Sequence, residues 1–75
     1  MTAEIGNYIA NLAIADGGSF VKVHPVTHLT LIRCRENTLK EIRSNENIKM
    51  SFNINARRIN RWWWSVAFID KKVGN

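Results

Sequence analysis

The first apolar residues of the chain recur at intervals of three and four positions. They are Ile5, Tyr8, Ile9 and Leu12. This spacing places them on one side of a helix. Thr2 is a candidate for the residue that caps the start of this helix. The stretch Asp16-Gly17-Gly18 has the turn composition that ends a helix.

Two strands are predicted after these glycines. Residues 19–23 read as the first strand. Residues 27–34 form the second and are rich in β-branched side chains, which favour strands. His24-Pro25-Val26 separates them and has the composition of a turn. The two segments therefore predict a hairpin.

A second, shorter helix is predicted over residues 37–44. Thr38 and Glu41 are three positions apart and have the form of a capping box. Leu39 and Ile42 supply a short apolar stripe. The polar residues Asn45-Glu46-Asn47 then predict the end of the helix.

The clearest period in the chain follows over residues 48–55. Apolar and polar side chains alternate strictly there, with Ile48, Met50, Phe52 and Ile54 apolar and Lys49, Ser51, Asn53 and Asn55 polar. Such alternation predicts a strand with one buried face and one solvated face. A turn over residues 57–60 is expected to return the chain into a last strand.

Three consecutive tryptophans lie in that last strand. Neighbouring side chains of a strand point to opposite faces. We therefore expect Trp62 and Trp64 in the core and Trp63 on the other side, with Arg61. Ala67 and Ile69 share the face of Trp63, so a second apolar patch that includes Trp63 is an alternative.

The predicted fold is α+β, with the order α-β-β-α-β-β in one domain that spans residues 1–75. Elements in this order predict an antiparallel four-stranded sheet with helices packed on one face. The single cysteine, Cys34, cannot form a disulfide within the chain, which favours a reducing compartment such as the cytoplasm. No leader and no apolar run of membrane-spanning length is evident, so neither secretion nor a membrane partner is expected.

Charge is distributed unevenly along the chain. The net charge is +5, and every Lys and Arg lies from Lys22 onward, whereas residues 1–20 carry only Glu4 and Asp16. A concentrated positive field attracts polyanions and releases their counterions. Charge alone fits a nucleic-acid partner and a surface that serves only solubility equally well. The arginines clustered beside Trp63 favour nucleic acid as the partner.

The solvated face of the predicted sheet is the candidate binding surface. Amide and guanidinium groups can pair with base edges, and an indole can stack on a base or grip sugar and phosphate. The candidate nucleic-acid-binding residues are Lys49, Asn53, Asn55, Arg57, Arg58, Arg61 and Trp63.

The segment from Tyr8 to Phe20, followed by two strands, a short helix and two more strands, resembles a half-domain of the LAGLIDADG homing endonucleases. In that family the signature helix ends in an acidic residue and a glycine and runs directly into the first strand. The corresponding residues here are Asp16, Gly17, Gly18, Ser19 and Phe20.

The resemblance implies duplex DNA as the partner. It also implies that two halves pack helix to helix, as a homodimer or as repeats within one chain, with Ala10 and Ala13 at the contact. Asp16 would then be a catalytic residue and a ligand of divalent metal, such as Mg²⁺, at the scissile phosphates. The signature differs at Asn11 and Ile14 and has Gly18 as an additional residue, so the resemblance implies DNA binding more strongly than cleavage.

A small non-enzymatic protein-interaction module, such as an inhibitor or adaptor, is the alternative function. Its partner would be a protein that contacts the tryptophan and arginine cluster, because these residue types are enriched in interface hot spots. A zinc site is not expected, since His24, His28 and Cys34 lack a fourth ligand.

Overall fold

The computed structural model describes residues 3–24 and 29–72, and these form an antiparallel sheet with helices packed on one of its faces. The elements are α1 (Ala3–Ala15), β1 (Ser19–His24), β2 (Leu29–Cys34), α2 (Glu36–Ser44), α3 (Glu46–Ser51), β3 (Phe52–Arg58) and β4 (Trp64–Asp70). The predicted α+β class is confirmed, with one more helix than the sequence indicated. Within the two described ranges, none of the helices has the length and apolar character that crossing a bilayer requires.

Helix α1 ends at the glycines, as predicted. Gly17 has a φ of 79°, a left-handed conformation that glycine adopts without steric cost. Its N–H donates to the carbonyl oxygen of Ile14 at 2.9 Å, and the N–H of Gly18 donates to the carbonyl oxygen of Ala13 at 2.9 Å. These bonds satisfy carbonyls that a helix end leaves without partners. The predicted cap at Thr2 lies outside the described residues.

The sheet has the strand order β1-β2-β4-β3, so β4 pairs with both β2 and β3. All three pairings are antiparallel. Residue pairing within β2, β4 and β3 places Ile32 beside Val66 and Val66 beside Ala56. Because side chains alternate along each strand, this register gives the sheet one face that packs against the helices and one open face.

The core lies between the helices and the first of these faces. Its fully or almost fully buried residues are Ile9, Ala13, Ile32, Cys34, Leu39, Ile42, Ile48, Phe52, Val66 and Phe68. Phe52 and Phe68 meet edge to face, with ring centroids 5.8 Å apart, an arrangement that aromatic pairs prefer. All three helices contribute to this one cluster.

The strand predicted over residues 48–55 is wrong in its first half, because residues 46–51 form α3. The side chain of Asn45 accepts a hydrogen bond from the N–H of Ile48 at 3.1 Å and so caps α3. Ile48 and Phe52 are four residues apart, so both can be buried beside a helix end as well as on a strand. Met50 is consequently 73% exposed instead of buried.

Two further local predictions are corrected. Helix α2 begins one residue before the predicted start, and Arg35 rather than Thr38 holds its cap position, without a side-chain cap bond. Strand β4 begins only at Trp64, so Trp62 lies in the loop before it and is 61% exposed. The expectation of Trp62 in the core is therefore wrong, whereas Trp64 packs against the core cluster as predicted.

The glycine pair at the end of α1 offers a matched test of packing. A Cβ at position 18 would lie 1.9 Å from the carbonyl oxygen of Arg33, whereas a Cβ at position 17 would meet no atom within 4 Å. We expect Gly17→Ala to lower the free energy of unfolding by about 1 kcal/mol, through the positive φ alone. Gly18→Ala should lower it by about 2 kcal/mol or more, since backbone must move. Urea denaturation of both variants measures the difference, and equal losses would contradict the close contact.

Candidate nucleic-acid interface

The open face of the sheet carries a line of polar residues that crosses all four strands. Ser19 pairs with Arg33, Arg33 pairs with Ser65, and Ser65 pairs with Arg57. We call these four residues the arginine row. Neighbouring strands are about 4.8 Å apart, so the backbones of Arg33 and Arg57 lie roughly 10 Å apart. Both arginines are exposed.

The charges of this row are not compensated within the described part of the chain. Neither Arg33 nor Arg57 makes an ion pair or a side-chain hydrogen bond there. No acidic residue occupies an open-face position of the four strands. By contrast, Arg58 points to the helical side, where it pairs with Glu36 at 3.4 Å. Arg33 and Arg57 therefore stand on the open face without an acidic side chain beside them on the strands.

A groove of about 530 Å³ runs along the arginine row. Its polar side chains include Arg33, Asn55, Arg57 and Ser65, and Leu31 and Ala67 supply apolar surface beside them. Leu31, Ala67 and Asn55 form the row next to the arginine row. The open face is thus divided into a basic end and a more apolar end.

The loop between β3 and β4, residues 59–63, is held by backbone and side-chain hydrogen bonds. The side-chain oxygen of Asn60 accepts from the N–H of Trp62 at 2.9 Å and from that of Trp63 at 3.0 Å. The N–H of Ile59 donates to the carbonyl oxygen of Trp63 at 2.9 Å. These bonds fix where the backbone presents the two indoles.

Each of the three tryptophans has an arginine over its ring, at 5.0 Å from the centroid. Arg35 covers Trp63, Arg58 covers Trp64 and Arg61 covers Trp62. Cation–π contacts of this kind contribute about 0.5–1 kcal/mol at exposed sites. They also orient the guanidinium groups relative to the rings.

Trp63 lines a second concavity, of about 270 Å³, which we call the Trp63 notch. It is formed by Gly17, Gly18, Ser19, Arg33, Ile59, Asn60 and Trp63. Arg33 and Ile59 line both the notch and the groove. The two concavities are therefore adjacent and share a guanidinium group.

The structure brings together only part of the predicted binding set. Asn55 and Arg57 line the groove, and Trp63 lies in the adjoining notch. Arg58 borders the groove, but its side chain pairs with Glu36 on the helical side. Asn53 lies on the open face, beside Ile69 and away from the arginine row.

Two predicted binding residues lie elsewhere. Arg61 is in the loop, over Trp62. Lys49 is on α3, where it pairs with Glu46 at 3.1 Å. The predicted position of Lys49 on the sheet is therefore wrong, because the strand starts only at Phe52.

Arg33 and Arg35 were not among the predicted binding residues. The signal for Arg33 is present in the alternation of β2, where Thr30, Ile32 and Cys34 are buried and Arg33 takes the opposite parity. The role of Arg35 depends on a contact with Trp63, which is 28 positions later in the chain. No local pattern indicates that contact.

Asp16, the predicted catalytic residue and metal ligand, has a structural role here. Its Oδ2 accepts a hydrogen bond from the backbone N–H of Arg35 at 2.8 Å and so joins the end of α1 to the start of α2. Among residues 3–24 and 29–72, no three or more His, Cys, Asp and Glu side chains lie close enough together to hold a metal ion.

The predicted helix-to-helix contact is also limited by packing. The side chain of Ala13 is fully buried in the core of its own chain, so it is not accessible to a second copy. Ala10 is half-buried. Of the two residues, only Ala10 presents surface outside the core.

Cys34 is the last residue of β2, directly before Arg35, and it is fully buried. Burial raises the pKa of its thiol from 9.0 to about 11, and the negative charge of Asp16 adds to the effect. The thiol is therefore protonated at neutral pH. A protonated, buried thiol packs as a small apolar residue and is a poor nucleophile.

Comparisons with protein families, with curated proteins and with solved structures find no match for this chain.

The bond between Asp16 and Arg35 can be tested through stability. Asp16→Ala removes the carboxylate that accepts the hydrogen bond from the N–H of Arg35. We therefore expect the free energy of unfolding to fall by about 1–2 kcal/mol. Asp16→Asn keeps a side-chain oxygen and should lose less than half of that. Chemical denaturation compares the two variants, and an Asp16→Ala protein as stable as the parent would contradict the structural role.

The raised pKa of Cys34 predicts a loss of stability at alkaline pH. Above pH 9.0 the unfolded chain releases the thiol proton, whereas the folded chain retains it up to about pH 11. The unfolded state then binds fewer protons, so the free energy of unfolding falls as pH rises through this window. Denaturation of the parent and of Cys34→Ala at pH 8, 9, 10 and 11 isolates the effect. Parallel pH profiles for the two proteins would contradict it.

Proposed function

We propose that the chain binds nucleic acid, with duplex DNA as the first candidate, through the basic end of the open sheet face. The arginine row carries this proposal. Two guanidinium groups stand on one exposed surface with no acidic neighbour on that face. A phosphate backbone supplies the missing negative charge, and the release of its counterions favours binding.

The groove also contains groups that suit contacts beyond the phosphates. Asn55 is two residues from Arg57 on the same strand face, and its amide can pair with the edge of an adenine. Arg33 and Arg57 are exposed guanidinium groups, which form charge-assisted hydrogen bonds with phosphate oxygens. Antiparallel strands are one of the elements that fit the major groove of duplex DNA. These features support a strand-based contact with the duplex.

We propose binding and not cleavage. Asp16 is engaged with the backbone of Arg35, and among the described residues of one chain no group of three or more His, Cys, Asp and Glu side chains could hold a metal ion. The resemblance to homing endonuclease half-domains therefore supports the binding surface, and no hydrolytic step is derived from it.

The loop between β3 and β4 favours a protein partner as the second candidate. Trp62 is 61% exposed and Ile59 is 43% exposed, and large exposed apolar side chains are common at protein interfaces. Affinity capture from an extract with and without nuclease treatment separates the candidates. A defined partner that is retained after the treatment would favour the protein, and loss of all bound material would favour nucleic acid.

The arginine row predicts a specific change in salt dependence. The double variant Arg33→Gln/Arg57→Gln loses two phosphate contacts. A plot of the logarithm of its binding constant against the logarithm of the salt concentration should therefore have a negative slope that is shallower by about 2. Fluorescence anisotropy with a labelled duplex, over a series of salt concentrations, gives this slope.

A pair of substitutions on α2 provides the matched control. Lys40→Gln with Arg43→Gln removes the same charge from exposed positions on the helical side. This control and Lys49→Gln should retain slopes close to that of the parent. If the salt dependence of the α2 variant is weakened as much as that of the arginine-row variant, binding depends on net charge and the open face is not the site.

A further inference from the structure

The Trp63 notch has the composition of a site for a planar polar group. One wall is the indole of Trp63, and Arg35 lies over that ring at 5.0 Å. Ile59 adds apolar surface, and Arg33 and Ser19 add polar groups. The notch therefore offers an aromatic surface together with hydrogen-bonding groups, which is the combination that binds nucleobases.

The hydrogen bonds of Asn60 leave one of its groups available to an occupant. Its side-chain oxygen accepts from the N–H groups of Trp62 and Trp63. The oxygen is therefore the engaged end of the amide, and the NH₂ group at the other end makes no hydrogen bond within the described residues. A base carries carbonyl and ring-nitrogen acceptors that this NH₂ group can reach.

The size of the notch limits what it can hold. Its volume of about 270 Å³ lies just below the roughly 300 Å³ at which pockets for complete small molecules begin. One base with part of its sugar is a group of the appropriate size. The notch is too small for an entire oligonucleotide and does not extend along a strand.

The position of the notch indicates where the rest of the ligand lies. Arg33 lines both the notch and the groove, and it belongs to the arginine row. If Arg33 binds a phosphate of a nucleic-acid strand, the nucleotide attached to that phosphate lies beside the notch. Trp63 and Arg33 line the same concavity, so one nucleotide can reach both.

We propose that the Trp63 notch binds an unpaired base, and that the preferred ligand is a duplex with an unpaired nucleotide beside the segment held by the arginine row. This inference rests on the proposed function. A base inside an intact duplex is stacked on both faces and paired at its edge, so it cannot enter the notch. An unpaired base leaves the stack at the lowest free-energy cost.

Two duplexes of identical sequence, one with a single unpaired adenosine, test the preference by fluorescence anisotropy. Stacking of one base on an aromatic side chain contributes about 1–3 kcal/mol, which corresponds to a preference of roughly 5-fold to 150-fold. We expect the parent protein to show at least a 5-fold preference for the duplex with the unpaired base. Trp63→Ala should abolish the preference.

Trp62→Ala is the matched control, because it removes the neighbouring indole, which is exposed and does not line the notch. It should retain the preference. A second measurement uses the parent protein alone, with 2-aminopurine at the unpaired position. Binding should change the fluorescence of 2-aminopurine, because the base leaves the stack of the duplex and contacts the indole. A circular dichroism spectrum establishes that the variants are folded.

The outcomes separate this inference from the proposed function. Equal affinity of the parent for both duplexes, unchanged 2-aminopurine fluorescence, or equal losses of preference in Trp62→Ala and Trp63→Ala would overturn the notch proposal and leave binding through the arginine row in place. Failure of the parent to bind either duplex would overturn both.

Discussion

The pairing of β4 with β2 on one side and β3 on the other is the constraint on which the rest of the structure depends. Its register sets which residues of the chain share a face. Val66 and Phe68 are directed into the core by this pairing, and Ser65 is directed to the open face between Arg33 and Arg57. A shift of β2 by one residue against β4 would exchange the two faces of β2 and bury Arg33. The same shift of β3 would bury Arg57. The hydrophobic core therefore also fixes the position of the arginines.

A second group of contacts fixes the end of the sheet where the candidate site lies. Gly18 packs directly against the backbone of Arg33, and Asp16 accepts the N–H of Arg35. Together they attach the end of α1 to the point where β2 leads into α2. Arg35 also lies over Trp63. One side of the notch is thus built on backbone contacts between regular elements, which position side chains precisely. The other side, with Trp63, belongs to the loop that the hydrogen bonds of Asn60 hold.

Most of the architecture could be predicted from the sequence, because the period of α1 and the apolar residues of the strands are local signals. The alternation over residues 48–55 was misleading because Ile48 and Phe52 are four positions apart, and that spacing also suits a helix that leads into a strand. The capping bond of Asn45 decides between the two structures. The parity of β4 was predicted correctly, but its starting point depends on the bonds of Asn60 within the loop.

Less of the candidate site was predictable, since it depends on contacts between distant parts of the chain. Asn55 and Trp63 were identified from strand parity. Arg57 was identified from its charge but was expected in the turn, whereas β3 extends to Arg58. The partnership of Arg33 with Arg57 depends on the register through Ser65, and the engagement of Asp16 depends on a residue 19 positions away. The resemblance that assigned Asp16 to a metal reflects its place at the end of the helix and does not include that contact.

The strand order also determines how the sheet is bounded. β1 and β3 are its outer strands, and unpaired backbone groups at such edges can recruit a strand from another molecule. β1 carries the exposed Lys22, and β3 ends in Arg57 and Arg58. If the same outer strand of two molecules paired in the parallel direction, its positively charged residues would lie side by side. Their repulsion opposes aggregation. The cations of the outer strands thereby contribute to the solubility of the chain.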